Sequence, residues 1–297
     1  MPEFELLNAK AAEAGLVDLH AHSQASDGGL SPAHLAAAAA VAGLRVLALT
    51  DHDTVDGVAE FLAARDQAEM DLIGGVEISL EHPGTFHLLG LNVAGDAGIP
   101  AELDRLKTFR VERNLRLLDK IGRLGYRLSW EALLKAAQGG QMGRPHFAAL
   151  LVERGFFRSS DEVFDKLLGK GRPGYVNKIR LSPGEGLAMI RAAGWAPVLA
   201  HPLSLGLSPE DWPACLGRLK DDGLVGLEVY HPSQGPEQTN FFLDLARRFN
   251  LIPTAGSDFH GGLARRTNES APVSALGWTV KNSPLGLEVL AELRARL

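Results

Sequence analysis

With 297 residues, 45% of them hydrophobic and 22% charged, the chain is long enough for one large domain or a barrel with an insertion, and its composition is far from disordered or fibrous extremes. A formal net charge of −6 argues against a general nucleic-acid coat protein, and the single cysteine, Cys215, excludes an internal disulfide framework and thiolate zinc chemistry. The opening residues MPEFELLNAK carry acids where a secretion signal carries lysines, and no stretch approaches the roughly 18 apolar residues a membrane span needs, so the expected location is cytoplasmic.

Short β-branched and apolar runs alternate with longer helical periodicities, which is the pattern of βα repetition. The first strand, Leu16 to Leu19, runs into His20-Ala-His22, and alternate residues of an extended chain share a face, so the two imidazoles can share a metal. Asp27 follows in Ser26-Asp27-Gly28-Gly29, a turn that returns a carboxylate toward that face. Ser31 is the expected N-cap of a helix from Pro32 to Ala42.

The second strand, Val46 to Leu49, ends in Thr50-Asp51-His52-Asp53-Thr54, and a helix from Val55 to Glu69 follows. The third, Leu72 to Val76, ends in Val76-Glu77-Ile78-Ser79; the fourth, Phe86 to Leu91, holds His87 between apolar neighbours. Residues 101–180 then break the rhythm with several helices and no convincing strand. This segment carries 17 Lys+Arg against 9 Asp+Glu, a charge of +8 that leaves −14 for the remainder, as suits an anionic substrate held over bound cations. Barrel rhythm resumes with a helix from Pro183 to Ala193 and strand Pro197 to Ala200 before His201-Pro202. A helix from Pro209 to Asp221, strand Val225 to Val229 before Tyr230-His231-Pro232, a helix from Glu237 to Phe249 and strand Ile252 to Ala255 before Gly256-Ser257-Asp258-Phe259-His260 complete the chain.

A single histidine on an apolar strand is more often a packed core residue than a ligand. Ligand-type residues at the ends of seven strands are a different case, because a parallel barrel gathers its strand ends at one mouth. No Ser-His-Asp arrangement, nucleophile elbow, Walker loop or dinucleotide fingerprint accompanies them, which argues against acyl transfer, nucleotide-driven motors and hydride transfer.

These motifs resemble the PHP (polymerase and histidinol phosphatase) domain: the His-x-His of His20 and His22, the Ser-Asp-Gly of Asp27, the Thr-Asp-His of His52, the Gly-Val-Glu of Glu77, and the late His201 and Asp258-x-His260. The resemblance implies an α/β fold, a distorted seven-stranded (β/α) barrel of the PHP/amidohydrolase-like type with a helical insertion. It divides the chain into a barrel from 1–100 and 181–297 and an inserted, basic, substrate-covering helical subdomain from 101–180. It further implies a trinuclear centre of nine ligands, His20, His22, Asp27, His52, Glu77, His87, His201, Asp258 and His260. In the implied division, His20, His22, Glu77 and Asp258 hold one metal, Glu77, His87 and His201 a second, and Asp27, His52 and His260 the third. Nitrogen and oxygen donors suit manganese, zinc or iron, with Mn2+ the first expectation. Clustered dications lower the pKa of water, neutralise phosphoryl oxygens and align attack, so Asp27, His52, Glu77, His260 and His231 carry the expected catalysis.

Outside the nine, Arg144, His146, Lys178 and His231 are the substrate-contact candidates, with Arg180 a further cation. Arg144 and His146 lie just before a helix, where a guanidinium and a helix start can grip phosphate. Asp51 and Asp53 read as orienters of ligand histidines or as helix caps, and His34 and His82 as solvent or packing residues. Arg110, Arg113, Arg116, Lys120 and Arg123 recur along one helical face, which reads as a hydrated face before an RNA track.

The resemblance extends to the stand-alone bacterial branch, and within it to the 3',5'-nucleoside bisphosphate phosphatases, which remove the 3'-phosphate of compounds such as pAp. The expected substrate is therefore a small nucleotide, with short RNA as an alternative and no obligate protein partner. A 5'-to-3' exoribonuclease on short RNA, a histidinol-phosphate phosphatase and a non-catalytic metal-stabilised binding module are the competing readings.

Overall fold

In the computed structural model, which describes residues 16–68, 70–95, 102–137, 142–177, 180–261 and 275–297, seven strands form one sheet in sequence order. They are β1 (Val17–Ala21), β2 (Val46–Leu49), β3 (Asp71–Leu80), β4 (Phe86–Leu91), β5 (Ala196–Leu199), β6 (Gly226–Tyr230) and β7 (Ile252–Ala255). The edges approach each other past the strands: His22 N–H donates to Phe259 O and Asp258 N–H to His20 O, at 2.9 and 2.8 Å. These bonds nearly close the sheet into an α/β barrel.

The strands are buried on both faces, which is why they read as continuous apolar runs. Along β2, Val46 and Ala48 join one apolar cluster with Leu19, Ile73, Leu89 and Val198. The intervening Leu47 and Leu49 join a second with Leu35, Ala39 and Phe61, the period-two alternation of an extended chain. Leu35 and Ala39 lie on α1 (Pro32–Val41), which begins at Ser31, whose side chain accepts from His34 N–H with proline at the first helical turn. Phe61 lies on α2 (Val58–Ala63), which Ala64 ends and α3 (Arg65–Ala68) follows, so the single helix expected from Val55 to Glu69 is two short ones. Its start is capped by Gly57, and neither Asp51 nor Asp53 caps it.

The expectation of an all-parallel barrel is corrected at one strand. β4 pairs antiparallel with both β3 and β5, while the other pairings are parallel. The cause is local: β3 continues past Val76 to Leu80, and the five residues 81–85 turn the chain straight back, leaving no room for a crossover helix. His87, second residue of a reversed strand, therefore lies in register with Ser79 near the carboxyl end of β3.

The chain divides into two compact units, Met1–Pro100 with Leu181–Leu263 and Ala271–Leu297, and Ala101–Arg180 with Ala264–Ser270. The first also contains α8 (Pro183–Ala192), α9 (Trp212–Asp221), α10 (Pro236–Arg248), α11 (Trp278–Asn282) and α12 (Glu288–Arg294). The second is built from α4 (Glu102–Arg123), α5 (Trp130–Ala136), α6 (Arg144–Glu153) and α7 (Ser160–Val163), the last running into a π turn over Phe164–Leu168. Leu117, Ile121, Leu133, Phe147, Leu151, Val163 and Leu168 form its own apolar core. No helix among the described residues is long and apolar enough to cross a membrane.

Candidate metal centre

β1 delivers His20, and the residue just past its end is His22; both are fully buried, with their Nε2 atoms 3.1 Å apart. Glu77 on β3 is also fully buried, and its two oxygens touch imidazoles from several elements. Oε1 lies 2.7 Å from His87 Nδ1, 2.9 Å from His201 Nε2 and 3.4 Å from His20 Nε2. Oε2 lies 2.7 Å from His52 Nδ1 and 3.3 Å from His22 Nε2. Asp258 Oδ1 approaches His22 Nε2 at 3.1 Å and His20 Nε2 at 3.4 Å, and Asp27 Oδ1 lies 3.2 Å from His260 Nε2.

The ligand atoms gather into overlapping groups. His20, His22, Glu77 and Asp258 form one; His22, Asp27, His52 and His260 another; and His52, Glu77 and His87 a third. His201 Nε2 adds to the last through Glu77 and through His87 Nδ1 at 3.2 Å. The first group has the membership the resemblance implied. The other two differ from it, because His52 touches both Glu77 and the Asp27 side and His22 borders both groups.

These residues fit divalent metal ions. Glu77 Oε2 is buried and accepts no hydrogen bond from the described residues although two imidazole nitrogens lie within 3.3 Å, a crowding of lone pairs that a cation relieves. The donors are all nitrogen and oxygen.

Burial drives the charge states and the neighbours modify them. Burial favours the neutral form of Glu77, yet the imidazoles of His52, His87 and His20 hold its pKa well below the usual carboxylate range. Asp27 is held low in the same way by His52 and His260. Burial pushes His87 down to about 4 and His22 well below the ordinary histidine value, with His260 and His52 adding to the effect on His22. Burial acts on His20 and His201 in the same sense, but Glu228 and Glu77 raise His20 well above the ordinary histidine value and the hydrogen bond with Glu77 raises His201. The ionised carboxylates and the neutral His22 and His87 are thus in ligand-ready states, while a cation would have to displace protons from His20 and His201.

The loops are tailored to these positions. Asp51 accepts hydrogen bonds from Ser23 N–H, Ser23 Oγ and Ser26 Oγ, fixing the turn that carries Asp27. Gly28 is needed in that turn because a Cβ there would collide with the carbonyl of His22. Asp53 accepts from Ser79 N–H and donates its own N–H to Glu77 O. The two aspartates thus hold backbone around the ligands. Asp53, His201 and Asp258 all have positive φ, three of the four such non-glycine residues among those described, so backbone strain concentrates at this mouth.

The ring nitrogens of His231 are arranged oppositely to those of His201 and His260. His201 directs Nδ1 to Ser204 Oγ and His260 directs Nδ1 to Asp258 O, leaving Nε2 for the cluster. His231 Nδ1 instead accepts the backbone N–H of Ser233, so a neutral ring carries its proton on Nε2. That atom is buried, has no hydrogen-bond partner among the described residues, and lies 3.7 Å from Asp258 Oδ2.

Arg144 and His146 lie in the other compact unit. Arg144 Nη1 donates to Leu168 O, with the guanidinium over the rings of Phe164 and Tyr175. His146 Nδ1 accepts from Gly143 N–H and caps α6. Lys178 lies outside the described residues. On α4, Arg116 and Arg123 pair with Glu112 and Asp119 one turn away, and Arg113 is buried.

Residues 18–168 match the family model described as the PHP domain. The chain belongs to the PHP domain family. A 5'-3' exoribonuclease of Haemophilus influenzae is 34% identical over 245 residues, 82% of this chain and 89% of that protein. A 3',5'-nucleoside bisphosphate phosphatase of Chromobacterium violaceum is 31% identical over 247 residues, 82% of this chain and 87% of that one. Among solved structures, a candidate metal-dependent phosphoesterase from Bifidobacterium adolescentis aligns with a TM-score of 0.76 at 27% identity, covering 94% of this chain and 96% of its own. The protein is thus a metal-dependent phosphoesterase of the PHP family, with a histidine and carboxylate cluster able to hold metal ions.

Two buried acids of this PHP domain escaped the sequence reading. Glu228 and Asp18 are both inaccessible to solvent and bond to His20, through Nδ1 and the backbone N–H respectively. The available signal was an acid inside an otherwise apolar strand, in Gly-Leu-Glu-Val-Tyr and in Val-Asp-Leu-His.

Proposed function

We propose that this chain hydrolyses the phosphoester bond on the 3' oxygen of 5'-phosphorylated nucleotides, with 3',5'-nucleoside bisphosphates such as pAp as substrates. The observation that carries the phosphoesterase chemistry is the convergence of five imidazoles on the two oxygens of Glu77, a site for more than one cation. Divalent ions held there, three by the nine-ligand set and Mn2+ before Zn2+ or Fe2+, supply an acidified water and neutralise phosphoryl charge. Around them, Glu77, Asp27 and Asp258 provide the anionic ligands. His231, whose Nε2–H is buried and pointed at the cluster, donates a hydrogen bond to a phosphoryl oxygen or to the departing 3' oxygen. Water oxygen joins phosphorus, the bond from phosphorus to the 3' oxygen breaks, and that oxygen takes a proton.

The choice of substrate is supported by the relatives. The Chromobacterium protein is named for bisphosphates and the Haemophilus protein for 5'-3' exoribonuclease activity. Release of a 5'-mononucleotide from either kind of substrate breaks the bond at the 3' oxygen. The second reading, trimming of short 5'-phosphorylated RNA, is favoured by the exoribonuclease name and uses the same chemistry. The charge of +8 on the 101–180 segment supports Arg144, His146 and Lys178 as candidate phosphate contacts, as expected from the sequence.

The test is product release by manganese-reconstituted protein from pAp, 3'-AMP, 5'-AMP, histidinol phosphate and a short 5'-phosphorylated RNA. Strong preference for pAp with 5'-AMP as product is expected. Preference for histidinol phosphate would overturn the substrate assignment, and a ladder of 5'-mononucleotides without pAp turnover would replace it with the exoribonuclease reading.

A further inference from the structure

We propose that Glu228 is a positioning residue of the metal centre: its carboxylate holds His20, on β1, and His201, in the turn after β5, with both Nε2 lone pairs turned toward Glu77. This rests on the metal-centre reading above. Glu228 lies on β6, between β5 and β7, and is fully buried. Its Oε1 accepts from His20 Nδ1–H at 3.0 Å, and its Oε2 from the backbone N–H of His201 at 2.5 Å.

Each bond has a distinct consequence. A proton fixed on His20 Nδ1 leaves Nε2 as the lone-pair nitrogen, and Nε2 is the atom that meets Glu77, Asp258 and His22. His201 has φ +25°, outside the ordinary regions for a residue with a side chain. A charge-assisted bond to its N–H offsets that strain and keeps its ring 2.9 Å from Glu77.

An independent feature agrees. Gly256, on the loop after β7, faces the pair so closely that a Cβ would collide with Glu228 Oε1 and with His20 Cβ. The missing side chain at 256 is the space in which the carboxylate meets the imidazole. Because both partners of Glu228 are donors, only a group with two acceptor oxygens satisfies both; an isosteric amide turns its NH2 against one of them.

The experiment compares wild type, Glu228→Gln and Glu228→Asp. It measures zinc affinity by chelator competition, melting temperature of the metal-free protein, and ring-nitrogen NMR of 15N-histidine-labelled, zinc-loaded protein. Glu228→Gln should bind zinc about 10- to 100-fold more weakly, the usual range for an outer-shell partner. Glu228→Asp, which keeps two acceptors, should recover part of that loss. Lower stability with unchanged zinc affinity would make Glu228 a packing residue and overturn the proposal. Should Glu228→Gln not fold, the wild-type spectrum decides: a proton on His20 Nδ1 supports the assignment, and one on Nε2 overturns it. Wild-type protein that takes up no metal would remove the metal-centre reading itself, an outcome distinct from equal loading of wild type and variant.

Discussion

Glu77→Gln is the most discriminating single change in the proposed centre. The side chain keeps its shape and loses one charge, at a position where its oxygens lie between 2.7 and 3.4 Å from five imidazoles. Removing one member of a buried charged set costs about 3–5 kcal/mol, since the others stay desolvated without their counter-charge. At about 1.4 kcal/mol per decade, metal affinity should fall between roughly 10² and 10⁴-fold. Because Glu77 belongs to two of the overlapping groups, more than one ion should be lost. Metal content per chain after dialysis, measured by mass spectrometry, and phosphate release from pAp are the paired assays. Expected are a folded barrel by circular dichroism, reduced metal content and loss of turnover. A variant with wild-type metal content and wild-type turnover would refute the reasoning, because no shared ligand could be neutralised without either effect.

Three further outcomes are expected. Chelation should abolish hydrolysis and lower the melting temperature, and manganese at 100 times its dissociation constant should restore about 2.7 kcal/mol of stability; an unchanged melt with and without metal would argue against the site. Arg144→Ala should weaken bisphosphate binding about 10- to 100-fold, the loss of a charge-assisted bond, and leave monophosphates nearly unaffected, and equal KM effects on pAp and 3'-AMP would remove the two-phosphate argument. Burial pushes Asp51 up to about 6, so the folded state holds that proton more tightly than the unfolded chain does. Stability from this group is therefore complete below about pH 4 and declines as the pH rises to about 6, by at most about 3 kcal/mol. Denaturant melts of wild type against Asp51→Asn should show the wild-type advantage shrinking over that window and then levelling, and an advantage that grows with pH would contradict the assignment.

Much of the fold and of the candidate cluster was legible in the chain because it depends on local chemistry. His20 and His22 converge because side chains two apart on a strand share a face, which needs no knowledge of the neighbours. The limits of β2, β4 and β7 followed from apolar runs bounded by polar or turn residues, and the Ser31 cap from its place before Pro32.

What tertiary structure alone decided is how these local pieces meet. The direction of β4 depends on which edge its backbone pairs with, and an apolar run looks the same forwards and backwards; only the pairing with β3 and β5 sets His87 in register with Ser79. Glu228 and Asp18 carry no motif of their own, and their meaning appears only when β6 and the segment after β7 come beside β1. The sequence determined which side chains can bind metal, because donor chemistry belongs to each residue. The folded barrel decided which of them come together and which acid meets them, because contacts between residues as far apart as His20 and Glu228 exist only once the sheet curls toward closure.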